Sequence, residues 1–220
     1  MKITLLLDNP NSWYLPHART LLASLQRTHD AALIHRAADI PAGDIAFFLS
    51  CERIIPASLR ARNTHTIVVH SSPLPKGKGW SPLTWQILEG KNEIVNTLFE
   101  AADAVDAGPI YMQNTMQFEG HELLPELHDI QGKAVNELVV SFLAACPDIL
   151  KRGMPQTGEE TFYTRRRPQD SELDPNKTIA EQFNLLRSAD NETYPAFFHH
   201  RGRTYILKIY KKQDINDSSV

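Results

Sequence analysis

Apolar and polar positions fall into short blocks along this chain, and the period within each block separates strands from helices. Residues 2–7 form an apolar run that stops at Asp8-Asn9-Pro10-Asn11, which predicts a buried strand closed by turn formers. Residues 13–27 carry Leu15, Ala18, Leu21, Leu22 and Leu25 at helical spacing. Residues 31–35, 44–49 and 64–69 read as further strands. Ser81-Pro82 has the form of an N-cap followed by proline at the first helical position, with the helix running to Leu88 and stopping at Gly90. Strands are expected over 93–99 and within 108–118. The longest helix spans 122–145, where Leu123, Leu127, Ile130, Val135, Leu138, Val139 and Phe142 make one apolar stripe. Strands alternating with helices imply right-handed crossovers and a mainly parallel sheet.

The pattern then changes. Residues 148–174 are polar and broken by Gly153, Pro155, Gly158 and Pro168, so they read as a long excursion. A helix is predicted over 177–188 with Ile179, Phe183 and Leu186 inward. A hairpin joins 196–200 to 204–210 through Arg201-Gly202-Arg203. The expected fold class is α/β: a Rossmann-like, mainly parallel sheet flanked by helices, with a C-terminal helix and β-hairpin extension. One domain covers 1–212, with its core over 1–147 and the extension over 148–212; residues 213–220 are expected to fray.

Composition narrows the function. The chain is 42% hydrophobic and 22% charged, enough for a sizeable core. A formal charge of −3 argues against a generic nucleic-acid surface. No apolar run reaches a membrane span, and the N-terminus meets Asp8 too soon for a signal peptide. Cys51 and Cys146 lack metal-type spacing and read as reduced packing residues of a cytoplasmic protein. His121 and His128 have no zinc spacing, so no metal is expected. Phosphate-loop and dinucleotide fingerprints are absent.

The candidate chemistry sits where the strand over 64–69 ends. His70 leaves that strand into Ser71-Ser72-Pro73-Leu74-Pro75-Lys76-Gly77-Lys78-Gly79-Trp80, and open α/β sheets carry their sites at this strand edge. Asp106-Ala107-Gly108 lies at a second strand-and-turn junction. Either motif alone reads as ordinary structure: a packed histidine, or a turn favoured by Asp and Gly. Lys76 and Lys78 lie between glycines and are candidates for phosphate contact, although exposed loop lysines are commonly just solvated. Arg165, Arg166 and Arg167 read as a solvated stretch of an irregular segment. Tyr163, Tyr194, Phe197 and Phe198 offer rings for stacking, but at strand ends such residues are usually core.

Together the two motifs resemble the folate-dependent formyltransferase family, which pairs a His-x-Ser-Leu-Leu-Pro loop with a later Asp-x-Gly. The helix-forming Trp80-Ser-Pro-Leu-Thr-Trp-Gln, the upstream Phe47-Phe-Leu-Ser-Cys-Glu-Arg-Ile-Ile-Pro, Gly158-Glu-Glu-Thr-Phe-Tyr163 and Tyr194-Pro-Ala-Phe extend the likeness over most of residues 40–210. The match is closest to short formyltransferases of bacterial surface sugars. The resemblance implies formyl transfer from 10-formyltetrahydrofolate, with tetrahydrofolate as product, to the amine of an amino-deoxy sugar carried on a nucleotide. It assigns His70 and Asp106 to catalysis and pterin contacts to Arg53, Ile54, Ile55, Ala101, Ala102, Asp103 and Asp106. The acceptor is expected across Ser72, Lys76, Gly77, Lys78 and Trp80, with Tyr163 and Tyr194 nearby.

One position departs from the family. Its asparagine, two residues before the histidine, is Val68 here. Ser72, a backbone N–H or the His70 imidazolium are the local candidates to replace that oxyanion donor. Methionyl-tRNA formylation is the nearest rival. It is disfavoured by the acidic balance and by the lack of the barrel domain that known members carry. Formyltetrahydrofolate hydrolysis and a folate- or nucleotide-binding pseudoenzyme are the others. The sugar and the oligomeric state are left open.

Overall fold

A computed structural model describes residues 1–212; the tail expected to fray, 213–220, lies outside the described residues. The order along the chain is β1 (Lys2–Leu6), α1 (Leu15–Leu25), β2 (Asp30–Ile34), β3 (Gly43–Phe48), α2 (Ala57–Arg60), β4 (Asn63–His70), β5 (Lys78–Gly79), α3 (Pro82–Leu88), β6 (Glu93–Glu100), β7 (Ile110–Gln117), α4 (Leu124–Ala144), β8 (Phe162–Tyr163), α5 (Phe183–Ser188), β9 (Ala196–His200) and β10 (Arg203–Leu207). Six strands form one sheet in the order β2-β1-β3-β4-β6-β7. The first four are mutually parallel, and β6 and β7 add to that edge antiparallel. The sheet is therefore mainly parallel, as the alternation of blocks predicts.

Two-sided burial follows from the period-two rule. Leu5, Leu7 and Phe47 point to the face covered by α1 and α4, where Leu21, Val139 and Phe142 meet them. Their neighbours Leu6, Ala46 and Phe48 point the other way and pack with Ile40 and Ile55. A smaller cluster of Leu83, Ile87, Ile94, Met116 and Leu127 fixes α3 against β6, β7 and α4.

Helix ends differ from the sequence reading in instructive ways. Ser81 precedes α3 with φ 47 and makes no side-chain capping bond, so proline at the helix start sets the boundary rather than a serine cap. The longest helix starts at Leu124, where the Glu126 carboxylate accepts from the Leu123 amide at 2.8 Å. The predicted helix over 177–188 is a correction: only Phe183–Ser188 is helical. Residues 177–182 form turns held by Thr178, Glu181 and Gln182, and Ile179 is 69% exposed rather than inward. Polar side chains there bond the local backbone and compete with the helix. The C-terminal hairpin pairs β9 with β10 antiparallel, and Leu173, Leu186, Ala189 and Ala196 form the extension's own small core.

Candidate active site

A cleft of about 780 Å³ opens at the ends of β1, β3 and β4, and His70 stands in its wall. Among the described residues, three of the four non-glycine residues with positive φ, namely Ser50, Ser81 and Asp106, line it. Each such conformation costs roughly 1–2 kcal/mol, and strain of this kind concentrates at sites of function.

His70 is the last residue of β4 and is buried. Its Nε2 lies 2.8 Å from the Gly77 carbonyl. That oxygen only accepts, so Nε2 carries the hydrogen and a neutral ring has its lone pair on Nδ1. Nδ1 faces Asp106 Oδ2 at 3.7 Å, beyond hydrogen-bonding distance but well within ion-pair range. The orienting contact thus comes from the backbone of the loop, and the carboxylate stands beside the reactive nitrogen.

The loop that places Asp106 admits little variation. A Cβ at Gly108 would fall 1.7 Å from the Glu100 carbonyl oxygen, so the chain returns toward β7 only through glycine. Gln156 ties the same loop down, donating to the Asp106 and Gly108 carbonyls at 2.8 and 2.9 Å. Asp106 Oδ2 also accepts from the Gly79 amide at 2.9 Å, which couples the acid to the loop that follows His70. At Gly79 itself φ is +98 and a Cβ would meet the Tyr163 carbonyl oxygen at 2.5 Å.

Of the serines after His70, the structure favours the one not expected. Ser71 lines the cleft, donates to Asn96 Oδ1 and accepts from Gln131 Nε2, both at 2.7 Å. Gln86 donates to its carbonyl at 2.7 Å. Ser72 is fully buried outside the cleft lining, and its hydroxyl has no partner. The expected reach of Ser72 into the site is therefore not provided, because the backbone turn directs it behind the loop.

Six of the seven expected cofactor-binding positions line the cleft. Arg53, Ile54, Ile55, Ala101, Ala102 and Asp106 line it, with Phe48, Val68 and Phe99 as apolar walls. Asp103 lies outside the lining and pairs with Arg60, whose Nε is buried without a partner. Val68 packs in the cluster with Phe48 and Ile55.

The expected lysine contacts need correction. Lys78 is 2% exposed and donates to Glu160 at 2.7 Å, and neither it nor exposed Lys76 lines the cleft. Gly77 accepts from His70 Nε2 through its carbonyl and donates its amide to Thr161 Oγ1 at 2.8 Å, and Tyr163 is turned to the Glu89 carboxylate. Trp80 and Tyr194 do line the cleft, and so do Arg165, Arg166 and Arg167. Sequence reasoning assigned those arginines to solvent. It also passed over Trp13, His128 and Gln131, whose rings and amide close the far wall. His128 stacks on Trp13 with centroids 4.2 Å apart, and burial pushes its imidazole down to about 4 despite the opposing Asp190. The i, i+3 spacing of His128 and Gln131 on α4 is the one sequence signal that they share a face.

No group of three or more metal-ligating side chains occurs among the described residues, and no helix there is long and apolar enough to cross a membrane.

Comparison with known proteins bears on the fold and the family. The chain is similar to a methionyl-tRNA formyltransferase from Clostridium thermocellum, with 20% identity, a TM-score of 0.79, and 97% of this chain and 94% of that one covered. It is similar to a sugar N-formyltransferase from a Shewanella species at 15% identity and TM-score 0.69, covering 96% and 98%. HypX from Aquifex aeolicus, in complex with tetrahydrofolic acid, matches at 22% identity and TM-score 0.73, covering 95% of this chain and 37% of that one. At such identities these likenesses establish the fold. The formyl transferase family profile matches residues 10–143, more than half of the chain and inclusive of both motifs. The chain therefore belongs to the formyl transferase family.

Proposed function

We infer that this formyltransferase moves a formyl group from 10-formyltetrahydrofolate to the primary amine of an amino-deoxy sugar carried on a nucleotide. One observation carries the reading: His70 and Asp106 meet in the wall of a cleft lined both by apolar side chains and by five arginines. Phe48, Val68 and Phe99 suit a flat pterin, with backbone groups around residues 101–106 and the unpaired Arg60 Nε available as polar partners. Arg165, Arg166 and Arg167 suit an anionic acceptor.

The donor supplies an activated formyl carbon. The acceptor amine adds to that carbon, forming the new C–N bond; the bond to the folate N10 then breaks, and N10 takes up a proton as tetrahydrofolate leaves. His70 Nδ1, unprotonated in the tautomer that Gly77 fixes, accepts the proton the amine must lose. Asp106 stabilises the imidazolium this creates, and the same imidazolium returns the proton toward the leaving nitrogen. With valine at position 68, the developing oxyanion has no asparagine donor, so the charged ring carries that stabilisation too. The Ser71 network holds the loop rigid behind it.

The test is turnover by the purified chain with 10-formyltetrahydrofolate and a panel of nucleotide-linked amino sugars. Tetrahydrofolate should form only when an amine is present. Acceptor-independent release of formate would instead assign hydrolysis, and formylation of charged initiator tRNA would assign the tRNA reaction. The near end-to-end match to the Clostridium chain makes that second arm necessary, since chain length does not separate the two.

A further inference from the structure

We propose that Arg165, Arg166 and Arg167, together with Trp80, form a binding site for the diphosphate of the acceptor. This deepens the nucleotide-sugar reading above and rests on it for the identity of the acceptor.

The segment carrying these arginines is built into the catalytic loop. β5 and β8 pair in parallel, with Lys78 opposite Phe162 and Gly79 opposite Tyr163. The Trp80 amide donates to the Tyr163 carbonyl at 3.1 Å, and Trp85 Nε1 donates to the Thr164 carbonyl at 2.9 Å. Gly79, the residue between, donates to the catalytic Asp106. An anion held by the arginines is thereby held in fixed register with His70.

Two of the three guanidinium groups lie over indole rings. The Arg165 guanidinium lies 4.7 Å over the Trp80 ring and the Arg166 guanidinium 6.0 Å over Trp85. Stacking orients a planar guanidinium and leaves its edge donors free for a phosphate. Arg166 is further fixed by donating to the Asp170 carbonyl at 2.9 Å, and burial pushes its pKa down from the usual arginine value. The charge balance favours an anion. Among the described residues, Arg53, Arg166 and Arg167 have no carboxylate within ion-pair distance, while Arg165 meets Glu52 only at 3.7 Å across the cleft mouth. Five arginines line the cleft against Glu52, Asp106 and Asp190. Glu52 occupies the place on Arg165 that a phosphate oxygen would take, so binding exchanges one carboxylate for a stronger, bidentate partner.

The probes are inorganic pyrophosphate and uridine diphosphate, titrated calorimetrically into the chain without folate or amine. Both should bind, and the double variant Arg165→Gln, Arg167→Gln should weaken them roughly 10- to 100-fold, as expected for lost charge-assisted hydrogen bonds. Removing the competing carboxylate with Glu52→Gln should strengthen pyrophosphate a few-fold. Unchanged binding in a double variant that melts like the parent would overturn the site, and so would weaker binding in Glu52→Gln. Binding of tRNA with neither diphosphate probe would assign the strip to a polynucleotide instead. Because no formyl transfer is read, loss of this site and loss of the transferase reading are separate results.

Discussion

His70 is held from one side and exposed chemically on the other. Gly77 takes the Nε2 hydrogen, which leaves Nδ1 for the proton in flight beside Asp106. His70→Ala should therefore lower turnover by on the order of 100-fold or more in a protein that still melts cooperatively. Asp106→Asn keeps the Gly79 contact sterically while removing the charge, so the loss should appear mainly in kcat. The double variant should cost little more than the worse single one, because the two act as a unit. A folded His70→Ala protein with full activity would refute the catalytic assignment. Both residues were legible in the sequence because backbone constraints surround them, such as the Gly108 position that tolerates no Cβ. Lys78 misled for the opposite reason. Its partner, Glu160, lies far along the chain, and nothing local reveals that the ammonium is buried.

Among elements, the strands and α4 followed from periodicity because their apolar faces meet the sheet over their whole length. The helix predicted over 177–188 did not, since only Phe183–Ser188 is helical, with Leu186, Arg187 and Ser188 buried, and the preceding turn is satisfied by its own polar side chains. What fixes α5 to the core is Arg187, 1% exposed, which reaches Glu122 at 3.3 Å, Asn92 at 3.0 Å and Asn184 at 2.8 Å. Glu122 in turn accepts from the amides of Glu119 and Gly120 ahead of α4. Arg187→Met leaves that carboxylate buried without its countercharge and should cost about 3–5 kcal/mol, read as a lower urea midpoint. Adding Glu122→Gln should recover part of the loss. If Arg187→Met melts like the parent, this linkage does not hold the extension in place.

At the scale of the whole molecule, a net charge of −3 said nothing about the cleft, where arginines outnumber carboxylates. Charge sums over the chain, whereas recognition depends on which residues the fold brings to one edge, and residues 165–167 reach it through the short β5–β8 pairing and the Trp80 and Trp85 bonds beside it. The same concentration of groups makes global stability depend on pH. His128 is held at about 4 in the folded chain, chiefly by burial, with Asp190 opposing and His17 adding to the effect. Unfolded, the ring takes its proton near 6.5. Between these values the unfolded chain binds more protons, so the contribution is complete above pH 6.5 and is lost as pH falls toward 4. The shift corresponds to roughly 3 kcal/mol, most of it lost by pH 4. The carboxylates of Glu122 and Asp190 are also held below their ordinary values, and they weaken the fold only at still lower pH. Urea midpoints should therefore drop between pH 7 and pH 5 in the parent. In His128→Phe, which keeps a ring against Trp13, the drop should be much smaller. Parallel pH profiles for the two proteins would show that His128 charges as freely in the folded chain as in the unfolded one, and would remove it as a neutral part of the cleft wall.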